Sequence, residues 1–153
     1  MEIRLDDLSG QQVQDLLAAH LVGMQENSPP ESVYALDLSG LRTPDMSVWT
    51  AWDQGQLLGV GALKHLSDGQ GEIKSMRTDP SHLRKGAGLA ILDHIISEAR
   101  KRGYLRLSLE TGSGSEFEAA LGLYRKRGFT NGERFGDYEP TEFNQFLHLG
   151  LIG

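Results

Sequence analysis

Residues 82–90 read HLRKGAGLA. Two glycines stand where a helix should begin, although glycine costs a helix about 1 kcal/mol relative to alanine. Upstream, residues 72–78 (EIKSMRT) read as a strand, with Ile73, Ser75 and Arg77 alternating against Lys74 and Met76. Pro80 ends it, because proline cannot donate to a ladder and constrains Asp79 before it. Downstream, Leu89, Leu92, Ile95, Ile96 and Ala99 recur at the helical period and predict a helix over Leu83–Arg102, capped by Gly103. A strand, a turn and a glycine-bearing helix start leave free amides at the positive end of a helix dipole, where anions bind. A glycine pair that merely closes a loop under a packed helix is the other reading of the same stretch. Neither common phosphate fingerprint is present. No Gly-Lys-Ser/Thr occurs, and position 91 is Ile where a dinucleotide turn needs its third glycine.

Working outward, EIRLDD near the start is a short alternating strand, followed by a helix over Ser9–Met24. SPPES carries a capping-box pattern with Ser28 and Glu31, which predicts a short helix over Pro30–Leu36. SVWTAWD and QLLGVGALKHL, separated by QG, form a β-hairpin, and DGQG turns the chain into the strand at Glu72. Beyond Gly103, YLRLSLE is a strand, SGSEFEAALGLYRKRG a helix stopping at Gly128, and NQFLHLGL a last strand. No repeat or linker divides residues 1–153, so one α+β domain with a mixed sheet is expected.

The chain's 153 residues suit a single core. With no cysteine, disulfides, thiolate metal sites and a cysteine nucleophile are excluded. The five histidines (20, 65, 82, 94 and 148) show no metal-ligand spacing, so no metal is expected. No apolar run reaches the ~18 residues of a membrane span, and MEIRLDDLSG lacks a signal pattern, so the expectation is a cytoplasmic protein without a membrane partner. The net charge of −6 argues against a nucleic-acid partner. Its distribution is uneven. Residues 84–127 hold nine Lys/Arg against five Asp/Glu, a net +4, which leaves −10 in the remainder. A basic segment within an acidic protein suits a polyanion docked at one place.

The second chemical element is ALGLYRKRGF at 120–129, which sets Tyr124 near the end of a helix. Tyrosine, with a pKa near 10, is a proton donor suited to a leaving thiolate. A partly buried core tyrosine has the same spacing. MRTDPSHLRKGAGLAIL and ALGLYRKRGF, in this order, resemble the acetyl-CoA and tyrosine motifs of the GNAT superfamily of N-acetyltransferases. More narrowly, SPPESVYALDL, GEIKSMRTDPSHLRKGAG, LSLETGS and FGDY are similar to the bacterial YsnE-like acetyltransferases. The resemblance implies a mixed, mostly antiparallel sheet that splays in a V between its fourth and fifth strands, flanked by helices. It further implies acetyl-CoA as co-substrate. The backbone of Met76, Arg77 and Thr78 would hold the pantetheine arm and acetyl carbonyl, and Arg84, Lys85, Gly86, Ala87, Gly88 and Leu89 the pyrophosphate. Tyr124 would protonate the departing thiolate. The chain departs from the family pattern at Leu83, where Gln or Arg is usual, and at Phe117, where Asn is usual.

An ammonium cannot attack, so a protonated primary amine must first lose a proton, directly or through water. Glu72 is the first candidate for base or water relay; Glu110, which ends the next strand, is the second, and Glu110 with Thr111 would face the acceptor. An α-amine needs little help, so a dedicated base is not required. The acidic N-terminal half favours a cationic amine. The expected activity is direct acetyl transfer to a primary amine of a small molecule or peptide without an acyl-enzyme, by a monomer or homodimer. A non-catalytic acyl-CoA sensor or interaction module is the alternative, and a general nucleotide-phosphate binder is a third reading.

Overall fold

The computed structural model describes residues 1–30, 36–67 and 69–151. Seven strands form one sheet: β1 (Glu2–Leu5), β2 (Met46–Asp53), β3 (Gln56–Ser67), β4 (Gln70–Thr78), β5 (Arg106–Thr111), β6 (Thr130–Asn131) and β7 (Gln145–Gly150). Their order is β1-β2-β3-β4-β5-β7-β6, and every neighbouring pair is antiparallel except β4–β5. Helices α1 (Gln11–Asn27) and α2 (Leu38–Leu41) precede β2, α3 (Ala87–Lys101) joins β4 to β5, and α4 (Glu118–Lys126) follows β5.

The β2–β3 hairpin turns at Gln54 and Gly55, with φ of 50° and 76°. Two left-handed residues give the turn whose twist matches paired strands, which is why QG closes it. β3 is buried on both faces, and its two faces divide the core in two, with a β-bulge at Leu58 interrupting the alternation. Leu57, Val60 and Ala62 pack with Val13, Leu16 and Leu17 of α1. Leu58 and Leu63 pack with Ile91, Leu92 and Ile95 of α3 on the other side. The expected short helix over 30–36 falls mainly on residues 31–35, outside the described ones. Next to it, Asp37 caps α2 by accepting from the Gly40 amide at 2.9 Å.

Two features position the site. The β4–β5 pairing runs only from Gln70↔Arg106 to Glu72↔Ser108, after which the strands part. This is the expected splay, and it leaves the β5-facing backbone of β4 from Ile73 onward without a strand partner. The second feature corrects the expected alternation. Ser75 has φ 57°, and the β3 register steps from Ala62↔Lys74 to Val60↔Arg77, so Ser75 and Met76 together oppose Gly61. This β-bulge inserts one residue and shifts the alternation. Ile73 and Met76 therefore share the α3 side, Met76 sulfur packing where a Gly61 Cβ would stand beside Ile91. Lys74 and Arg77 share the α1 side, the Arg77 guanidinium lying 3.1 Å from where a Gly23 Cβ would project.

Candidate active site

The turn after β4 is more elaborate than a direct entry into helix. Asp79 accepts from the Ser81 amide at 2.8 Å and caps a 3₁₀ turn over Pro80–His82. Arg84 (φ 64°) and Gly86 (φ 83°) then adopt left-handed backbone, so α3 begins at Ala87, four residues later than the sequence predicts. Its first backbone bond runs from the Ala90 amide to the Gly86 carbonyl at 3.0 Å, which leaves the preceding amides at the open helix end. Arg84, Lys85 and Gly86 are exposed, and a Cβ at Gly86 would meet nothing within 4 Å. Donors, positive side chains and open space together fit a pyrophosphate. The two glycines have different reasons. Gly86 supplies the left-handed turn, whereas a Cβ at Gly88 would come within 2.9 Å of Leu123 Cδ1, so Gly88 lets α3 and α4 meet.

The parted strands open a cleft of about 150 Å³. β4 from Glu72 to Arg77 and β5 from Leu109 to Thr111 form its sides, while α1 closes one end and Phe117, Ala120 and Tyr124 the other. The cleft thus brings together Glu72, Met76, Arg77, Glu110, Thr111 and Tyr124. Thr78 and residues 84–89 lie beyond it, at the turn into α3. Tyr124 is 6% exposed, and its ring meets Phe129 edge-on at 5.8 Å. Burial pushes its phenol above the ordinary range, so the group stays protonated. Phe117, where the family usually has Asn, is buried against Phe143, whereas Leu83 stands 59% exposed at the turn.

The two candidate bases occupy different surroundings. Glu72 is 3% exposed and tied down: its Oε2 accepts from Lys74 Nζ at 3.3 Å and from the Tyr138 hydroxyl. Lys74 Nζ also donates to the Tyr138 oxygen at 2.6 Å. Tyr138 is a site residue that local sequence reading misses, since it stands 66 positions after Glu72; FGDY marks it only as part of a resemblance. Glu110 is raised to about 7, chiefly by burial, with Asn144 and Lys74 opposing the rise and Glu72 adding to it. On the α1 side, His20 is lowered to about 4 by burial and by the charge of Arg77. Among the described residues, His20 Nδ1, Ser75 Oγ and Arg77 Nε are buried without a hydrogen-bond partner, and no group of His, Asp or Glu could hold a metal ion.

Residues 12–129 match the model of the acetyltransferase (GNAT) family. The chain belongs to the GNAT family. It is 55% identical over 147 residues to the uncharacterized N-acetyltransferase YsnE of Bacillus subtilis, covering 96% of this chain and 97% of that one. A solved acyl-CoA N-acyltransferase from Klebsiella pneumoniae superposes with a TM-score of 0.81 at 29% identity, covering 99% and 97% of the two chains. The GNAT fold is also that of a Bacillus subtilis acetyltransferase solved with CoA, at TM-score 0.71 and 22% identity over 99% of each chain. This GNAT chain is therefore an N-acetyltransferase, and the fold places its glycine turn and cleft along one strand end. No described helix is long and apolar enough to cross a membrane.

Proposed function

We propose that the protein transfers the acetyl group of acetyl-CoA directly to a primary amine of a small molecule or peptide, in a ternary complex without an acyl-enzyme. The observation that carries this reading is the placement of two proton-transfer groups in one cleft: Tyr124, kept protonated by burial, and Glu110, raised to about 7. The unpaired β4 edge is suited to receive an extended pantetheine arm as an added strand. Met76, Arg77 and Thr78 contribute backbone there. The amides from Arg84 to Leu89, with the Arg84 and Lys85 side chains, hold the pyrophosphate.

A base works best with a pKa near the operating pH, which Glu110 meets, whereas the Glu72 carboxylate is already engaged by Lys74 and Tyr138. Glu110 accepts the amine proton, directly or through water. The nitrogen lone pair attacks the acetyl carbonyl carbon, the C–S bond breaks, and its electron pair leaves on sulfur. Tyr124 gives its proton to that sulfur and regains one from the nitrogen, which sheds its second proton as the tetrahedral adduct collapses to the amide. Glu72, held by Lys74 and Tyr138, shapes the cleft wall and keeps Lys74 in place.

Thiol release over a panel of amines, with Tyr124→Phe as control, tests the reading. A loss of about 100-fold in kcat with acetyl-CoA affinity retained is expected, the usual size of a general-acid contribution. Tight acetyl-CoA binding with no turnover across the panel would favour the sensor.

A further inference from the structure

We propose that the α1 side of the cleft is a carboxylate pocket centred on Arg77, so that the acceptor is an amine that also carries a carboxylate. This rests on the acetyl-transfer reading and names the acceptor class. Four buried side-chain polar atoms lack a hydrogen-bond partner among the described residues, and three of them, His20 Nδ1, Ser75 Oγ and Arg77 Nε, line this one cleft. Buried polar groups are ordinarily paired, and an unpaired one is costly. Arginine has donors only, so the partner Arg77 lacks must be an acceptor. No acidic side chain forms an ion pair with Arg77 among the described residues, although all of Arg4, Lys74, Arg102, Arg106 and Arg127 have one. A carboxylate supplies both the acceptor atoms and the opposite charge, in the planar geometry a guanidinium matches. His20, lowered to about 4, is neutral at pH 7 and adds an imidazole nitrogen, and Ser75 adds a hydroxyl.

Gly23 is the independent sign that the guanidinium is deliberately seated. It sits within α1, where glycine weakens a helix. A Cβ there would stand 3.1 Å from Arg77 Nη1 and 3.6 Å from Nη2. The helix thus leaves room for the guanidinium to lie against it. Glu110 and Glu116 line the same cleft and supply carboxyl groups suited to an amine. The cleft is therefore matched to a molecule with a positive end and a negative end, rather than to the plain cation expected from the acidic N-terminal half.

The test compares thiol-release rates for amino acids, their carboxamides and their decarboxylated amines. Dipeptides with free or amidated C-termini form the peptide arm and separate a small molecule from a chain end. Wild type should prefer the acid by about 10- to 100-fold in kcat/KM, the worth of a hydrogen bond to a charged group that the amide replaces with a neutral one. Arg77→Gln should bring the ratio toward one. Gly23→Ala should lower the ratio while raising the melting temperature, a combination that a purely structural role for Arg77 does not give. Equal rates for acids and amides, or a preference that survives Arg77→Gln, would overturn the proposal while leaving amine acetylation standing. If no acceptor reacts, the transfer reading itself fails. The pocket is then read by calorimetry of N-acetyl amino acids against their amides on the CoA-loaded protein, where equal affinity or no binding of either refutes it.

Discussion

Glu110→Gln is the substitution with the most to say, because one carboxyl group links activity and stability in opposite directions. Its pKa rises from 4.5 to about 7, mainly through burial. A carboxyl raised in the folded state stabilises the fold below its unfolded pKa and loses that contribution as pH climbs through the folded pKa. With those two values, the penalty for ionising Glu110 in place is about 1 kcal/mol at pH 5 and about 3 kcal/mol at pH 8. Glutamine cannot ionise, so the variant should gain roughly 2–3 kcal/mol on wild type between the two pH values. For a chain of this length that is roughly 5–10 °C in melting temperature. Activity should move the other way. Wild-type kcat/KM should rise about tenfold per unit below pH 7 and level off above it, and the variant should lose that limb along with most of its rate. Thermal melts at pH 5 and 8, and initial thiol-release rates from pH 5.5 to 9, measure both effects. A variant that keeps the limb, or melts no higher at pH 8 than at pH 5 relative to wild type, refutes the assignment.

His20 carries a sign of its own. Its pKa is lowered to about 4, so the unfolded chain binds the proton first and stability falls as pH drops below 6.5. His20→Gln should flatten the loss between pH 6.5 and 4, and urea titrations across that range check it. Gly86→Val should weaken acetyl-CoA binding more than folding, since open space surrounds the site within the chain; its left-handed backbone adds about 1–2 kcal/mol of strain, roughly 2–8 °C in melting temperature. Calorimetry beside melts decides, and unchanged affinity at that melting loss counts against the phosphate role. Gly88→Ala should cost about 1 kcal/mol or more by forcing Leu123 aside, measured as a fall in denaturant midpoint.

The elements that decide the fold are local, and so they are readable. QG closes the hairpin, Gly103 and Gly128 stop their helices with left-handed backbone, and the apolar period places α3. What escapes reading is whatever depends on pairing across the sheet. The bulge at Ser75 exists only against Gly61 of β3, and nothing in EIKSMRT separates it from an ordinary strand. The choice between Glu72 and Glu110 turns on Tyr138 and Asn144, both supplied by chain far downstream. Gly88 reads as a phosphate glycine, yet its neighbour is Leu123 of a helix formed 30 residues later.

The extra residue in β4 divides labour between two kinds of atom. On one stretch, the main chain is free of a strand partner and offers groups that every amino acid possesses, while Lys74, Ser75 and Arg77 line the cleft proposed for the acceptor. A chain built this way can exchange its customer without altering its supplier. Randomising positions 74, 75 and 77, with residues 84–89 untouched, is therefore the shortest route to an enzyme for a different amine.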